Sequence, residues 1–131
     1  MSTVVDASVV VAALLSSGAY GSWSEQVISE RDLLAPESML IESASAIRRL
    51  ERLGDISRQV ADLAHRDLLR LRVHLFAYEP LAPRVWNLRN NYTPYDAAYV
   101  ALAEATGSRL ATLDKRMAAA TGAKCSFLIP D

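Results

Sequence analysis

The sequence predicts an α/β fold, a central and mostly parallel sheet of five strands with helices on both faces. Three observations predict it. Short apolar runs alternate with helical patterns along the whole chain, as crossover helices between parallel strands require. Breakers such as Ser16-Ser17-Gly18, Gly54, Asn90-Asn91 and Gly107 fall between these patterns. Two apolar runs end directly in an aspartate, Asp6 and Asp114, and in such sheets ligands gather at strand carboxyl ends, near the point where strand order reverses.

Val4 and Val5 form the first strand, in register by Thr3 and closed by Asp6. Ala7 to Leu15 is apolar and helical up to the Ser16-Ser17-Gly18 breaker. Trp23, Val27 and Ile28 lie at helical spacing in a second helix expected to end near Arg31-Asp32. Leu33-Leu34-Ala35 is the second strand. Pro36 suits the first turn of a third helix, with Glu37 near the positive end of its dipole, running to about Leu53 before Gly54. Asp55 opens a fourth helix whose stripe is Val60, Leu63, Ala64, Leu68 and Leu71, with Arg58, Asp62 and Arg66 spaced for i,i+4 pairing. Val73 to Tyr78 alternates as a strand. Pro80 and Pro83 lead into a helix containing Val85, Trp86 and Leu88. Thr93-Pro94-Tyr95-Asp96 opens a strongly apolar helix reaching Ala105. Arg109 to Leu113 is a strand, Asp114 to Ala120 a short helix, and Lys124 to Ile129 the last strand. No repeat or linker interrupts this series, so residues 1–131 are expected to form one domain.

With 131 residues, 51% hydrophobic and 22% charged, the chain has enough apolar surface for a core and is not of disordered composition. No apolar run approaches the roughly 20 residues of a membrane span, and no leader-like segment precedes the first strand. A single cysteine, Cys125, expected in the last strand, cannot form an internal disulfide, which suits a reducing cytoplasm. Net charge is −1, which excludes a globally basic nucleic-acid binder. Lys115 and Lys124 are the only lysines; the arginines suit phosphate recognition, but GC-rich coding gives the same composition.

Four acids carry the chemistry. Each has an ordinary alternative: Asp6 and Asp114 can cap the helices they precede, Asp96 stands three residues after Thr93 as in a capping box, and Glu42 can be a solvated flank. Together the alternatives weaken. Two of the acids end apolar strands and one opens the buried run Ala97 through Ala105, and acids at the rim of a core are costly unless paired or cation-bound. Lys115 and Arg116 adjoin Asp114 but do not serve all four. A hard divalent ion, Mg²⁺ or Mn²⁺, matches such oxygen ligands.

These residues carry a resemblance. Val4-Val5-Asp6-Ala7-Ser8, Glu42 ahead of Arg48-Arg49-Leu50, Tyr95-Asp96-Ala97-Ala98-Tyr99 and Leu110-Ala111-Thr112-Leu113-Asp114 resemble, in order and spacing, the PIN-domain family and in particular the VapC toxins of bacterial toxin–antitoxin pairs. The resemblance implies a three-layer α/β/α fold with strand order 3-2-1-4-5. It implies a Mg²⁺- or Mn²⁺-dependent endoribonuclease in which Asp6, Glu42, Asp96 and Asp114 ligate or orient the metal, steadied by hydroxyls of Ser8 and Thr112. It implies products with 5′-phosphate and 3′-hydroxyl ends. The partners implied are an RNA substrate, a VapB-type antitoxin lying across the acidic groove and a second copy of the chain. None of the four acids is missing.

Arg48 and Arg49, with Arg52, either contact RNA backbone or complement the negative end of their helix. Lys115 and Arg116 are the better phosphate candidates. Tyr95 is the exposed candidate for base stacking, whereas Trp86 and Tyr99 sit among apolar residues and are expected in the core. His65 and His74 have no metal-like partner. Two competing readings remain: a non-catalytic PIN module binding RNA or protein through the same groove, and a phosphoacceptor receiver domain, which the single acid after strand one and the missing aspartate after Phe76-Ala77-Tyr78 disfavour.

Overall fold

Valine- and leucine-rich segments with no room for solvent on either side build the centre of the molecule. The structure, a computed structural model, describes residues 1–30 and 32–131. Its strands are β1 (Thr3–Val5), β2 (Leu33–Pro36), β3 (His74–Phe76), β4 (Arg109–Ala111) and β5 (Phe127–Leu128). They pair in the order β3-β2-β1-β4-β5, and every pairing is parallel. Thr3, Val4 and Val5 are fully buried, as a strand covered on both faces must be.

The helices are α1 (Ala7–Leu15), α2 (Ala19–Ile28), α3 (Ser38–Arg52), α4 (Arg58–Arg70), α5 (Ala82–Asn87), α6 (Pro94–Thr106) and α7 (Lys115–Ala119). Right-handed crossovers from β1 out to β3 put α1–α4 on one face, and the return to β4 and β5 puts the later helices on the other. Packing agrees: α1 meets α2, α3 and α4, while α6 lies against β1, β2, β4 and α5. The connections leaving β1 and entering β4 run to opposite sides, so the crevice above these two strands is the switch point where such sheets bind ligands. Among the described residues, no helix is long and apolar enough to cross a membrane.

Several local expectations change. Pro36 ends β2 rather than opening α3: it is in register with Phe76, and the ladder continues through the Glu37 N–H, which donates to the Phe76 carbonyl at 2.9 Å. The second helix ends at Ile28, and its expected end at Arg31 lies outside the described residues. The fourth helix starts three residues later than expected, where Ser57 accepts from the Val60 N–H. Its buried face is Ala61, Ala64 and Leu68, and Val60 and Leu63 are exposed; small alanines let α4 approach α1 and α3 closely. Arg66 pairs with Asp67 rather than Asp62. The outer strands are shorter than their apolar runs, and Cys125 precedes β5 instead of lying in it. Trp86, expected in the core, is exposed with the Arg89 guanidinium 4.7 Å over its ring, because Val85 takes the inward position.

Candidate active site

Asp6 leaves β1 at the switch point and is 4% exposed. Its Oδ1 accepts from the Ser8 hydroxyl (2.5 Å) and from the Val9 N–H (3.1 Å), and its Oδ2 accepts from the Thr112 hydroxyl (2.5 Å). The capping alternative is therefore real: Asp6 caps α1. Capping uses one lone pair of Oδ1, and a carboxylate has about four acceptor positions, so Asp6 retains capacity for a further ligand. Ser8 and Thr112 do more than touch Asp6. The Ser8 hydroxyl accepts from the Leu113 N–H at 3.1 Å, and the Thr112 hydroxyl accepts from the Asp114 N–H at 2.9 Å. Two hydroxyls thus tie the end of β1 to the loop after β4 and fix Asp114 relative to Asp6.

Asp114 caps α7 through Oδ1, accepting from the N–H groups of Arg116 (2.9 Å) and Met117 (3.3 Å). Asp96 stands in the first turn of α6, whose start is set by Pro94 and by the Thr93 hydroxyl accepting the Asp96 N–H at 3.2 Å. Glu42 comes from α3, across the crevice. The Tyr99 hydroxyl donates to its Oε1 at 3.2 Å.

Asp96 lies within electrostatic reach of Asp6, Glu42 and Asp114, and Asp6 within reach of Glu42. Burial, Ser8, Thr112 and Val9 act on Asp6 in opposition, and burial with the Asp96 charge leaves its carboxyl above the usual range. Burial also pushes Glu42 up, aided by Asp96 and Asp6. Asp96 is raised by burial and then by Asp114, with Arg116 opposing. The ion pairs among the described residues join Arg66 to Asp67, Arg84 to Glu104, Arg109 to Glu30 and, at 3.9 Å, Arg116 to Asp114. They leave Asp6, Glu42 and Asp96 without a cation.

Among the described residues, no three acidic, histidine or cysteine side chains are close enough to form a ready-made metal cage. The donor set nonetheless fits a hard divalent ion. It is all oxygen, partly buried, mutually repelling and short of cations, and Mg²⁺ keeps several of its waters instead of demanding a full protein cage. The openings around the acids differ. Asp96 and Asp114 share a recess with Arg116, whereas Glu42 faces a groove with Arg48, Arg49 and Tyr95.

This topology and this set of acids can be compared with known proteins. A family profile for the PIN domain matches residues 3–123. The chain belongs to the PIN-domain family. It is 36% identical over 126 residues to VapC ribonuclease Mb0985 from Mycobacterium bovis, covering 96% of each chain. It is 39% identical over 125 residues to ribonuclease VapC1 from Mycobacterium tuberculosis, covering 95% of this chain and 94% of that one. In fold it is similar to the crystal structure of VapBC2 from Rickettsia felis bound to a DNA fragment from their promoter, with a TM-score of 0.69, 12% identity and full coverage of both chains.

Within this PIN fold the remaining candidates separate. Arg48 and Arg49 are exposed along the Glu42 groove, and Tyr95 is exposed where that groove meets the start of α6. Arg116 borders the Asp96–Asp114 recess, and Lys115 is exposed beside it. The sequence places Tyr99 in the core. It is 1% exposed, yet its hydroxyl reaches Glu42. Its spacing of three from Asp96 places both on one face of α6, and that was the available signal.

Proposed function

We propose that the chain is a Mg²⁺- or Mn²⁺-dependent endoribonuclease, the toxin of a VapBC-type pair, acting through Asp6, Glu42, Asp96 and Asp114. The observation that carries the proposal is the placement of three buried or half-buried carboxylates, Asp6, Glu42 and Asp96, at the switch point with no ion pair to any of them among the described residues. The VapC ribonuclease relatives, matched over nearly the whole chain, support the reaction class.

When bound, the divalent ion supplies Lewis acidity toward the phosphate and an acidified water. Asp6 and Asp96, with Asp114, would hold it. Glu42, anchored through Oε1 by Tyr99, orients the attacking water and takes its proton. Attack at phosphorus in line with the 3′-oxygen breaks the bond between them, and the departing oxygen gains a proton. A 5′-phosphate and a 3′-hydroxyl result. The ribose 2′-hydroxyl takes no part, so preference for RNA arises in binding.

The same geometry suits inhibition by an antitoxin. An arginine fork on the partner protein would supply the missing positive charge to the acids without a reactive water. The chain is further proposed to act as a homodimer. The test is cleavage of total RNA by antitoxin-free protein with Mn²⁺, compared with Asp6→Ala. Equal cleavage by both would refute the assignment. A calorimetric Mn²⁺ titration separates the enzyme from a non-catalytic PIN module, which would bind no metal.

A further inference from the structure

Tyr95 has a second face. Beside it lies a recess of about 300 Å³ bounded by Pro36, Phe76, Tyr78, Pro94, Tyr95 and Ser38. The fold makes it at the edge of the sheet. The carboxyl ends of β2 and β3 deliver Pro36 and Phe76, and the first turn of α6 delivers Pro94 and Tyr95. Tyr78 and Tyr95 are 52% and 61% exposed, so their rings are not consumed by the core. Rings and prolines make most of its walls, Glu37 is the one charged residue in its lining, and no lysine or arginine lines it. A phosphate has nothing to hold it there; a flat, uncharged ring does.

The recess connects to the acids. Ser38 lines it and lies one helical turn before Glu42 on α3, a step of about 5.4 Å along the axis. Tyr95 separates it from the groove that carries Arg48 and Arg49. An RNA strand following those arginines would thus reach the acids with its phosphates while one base turns into the recess.

The geometry points to a nucleobase site: the recess of Pro36, Phe76, Tyr78, Pro94 and Tyr95 takes one unpaired base of the nucleotide next to the cut bond. This rests on the ribonuclease reading above. Stacked and paired bases cannot enter, so the site selects RNA whose strand is open at the point of cleavage. Stacking on aromatic rings is tolerant of base identity.

The test uses the Asp6→Asn protein, which leaves RNA uncut, and a ten-nucleotide single-stranded RNA with 2-aminopurine at one position. Binding should quench the fluorescence. Tyr78→Ala and Tyr95→Ala, each added to Asp6→Asn, should weaken binding roughly tenfold and restore most of the emission. Trp86→Ala, which removes an exposed aromatic outside the recess, should change neither, and 2-aminopurine within a paired stem should stay bright. Quenching that survives both tyrosine changes overturns the proposal, as does equal quenching in the stem. Unchanged RNA binding with loss of a co-purifying protein partner also overturns it, since the recess would then hold a protein segment. Cleavage assays on the otherwise native protein keep the two readings apart. Cleavage without recess-dependent quenching sinks the base site alone, and quenching without cleavage sinks the nuclease alone.

Discussion

Asp6 has two roles in one side chain, capping α1 through Oδ1 while Ser8 and Thr112 hold both oxygens in place. Asp6→Ala is expected to abolish RNA cleavage, by at least about 100-fold in kcat, and to lower stability by about 1 kcal/mol through the lost cap. A single-turnover assay and urea denaturation read these separately. Asp96 makes no cap through its carboxylate, so Asp96→Ala is expected to abolish cleavage with no such cost. Tyr99 is tested by removing one atom. Tyr99→Phe should lower kcat about 10- to 100-fold, the worth of a hydrogen bond to a charged group, with KM unchanged within about twofold. In a Glu42→Ala background the same change should cost nothing, since its only route is through Glu42; an equal loss in both backgrounds would contradict that route. The four acids, Ser8 and Thr112 were legible as residue types at family spacing. Tyr99 was not, because an apolar helix face reads as core whether or not a hydroxyl at its edge finds a partner. Trp86 failed in the opposite direction, its place on the helix being decided by Val85 and by the arginine that covers it.

Elements were legible where punctuation and periodicity agree. α6 reads cleanly because Thr93 caps it, Pro94 opens it and Gly107 closes it in the left-handed conformation. Errors gathered at boundaries set by partners distant in sequence. β2 gained Pro36 through its register with Phe76, and β5 is short because Glu104, gripped by Arg84, also takes the Lys124 N–H at 2.7 Å. The turn between α1 and α2 makes a sharper test. A Cβ added at Gly21 would lie 2.2 Å from the Ser16 carbonyl oxygen, a backbone atom with little freedom to yield. Gly21→Ala is therefore expected to destabilise by about 1–3 kcal/mol, read as a lower urea midpoint with unchanged slope. An unchanged midpoint would mean that the α1–α2 turn opens at little cost.

For the whole molecule, the parallel alternation and the strand order it implies were legible, and they bring residues from four separate segments to one crevice. That gathering costs stability without metal. Asp6, Glu42 and Asp96 all bind protons more readily folded than unfolded, so their favourable contribution is full below the ordinary carboxylate range and is lost as pH rises through their raised values. Glu104 runs the other way: bonds from Arg84 and Lys124 lower its pKa, and its contribution fades as pH falls. Metal-free Asp96→Asn protein should thus melt about 3 °C above the native protein at pH 7, with the gain vanishing near pH 4, and Mn²⁺ should raise Tm in the native protein much more than in the variant. A lower Tm for the variant at pH 7 would show that the acids do not repel. The most direct measurement is sequencing of new RNA 5′ ends after incubation with Mn²⁺, for the native protein and for Asp6→Ala. The account predicts discrete 5′-phosphate ends from the native protein, absent with Asp6→Ala and absent when the metal is chelated. Ends bearing 5′-hydroxyls, or the same 5′-phosphate ends from Asp6→Ala, would contradict it.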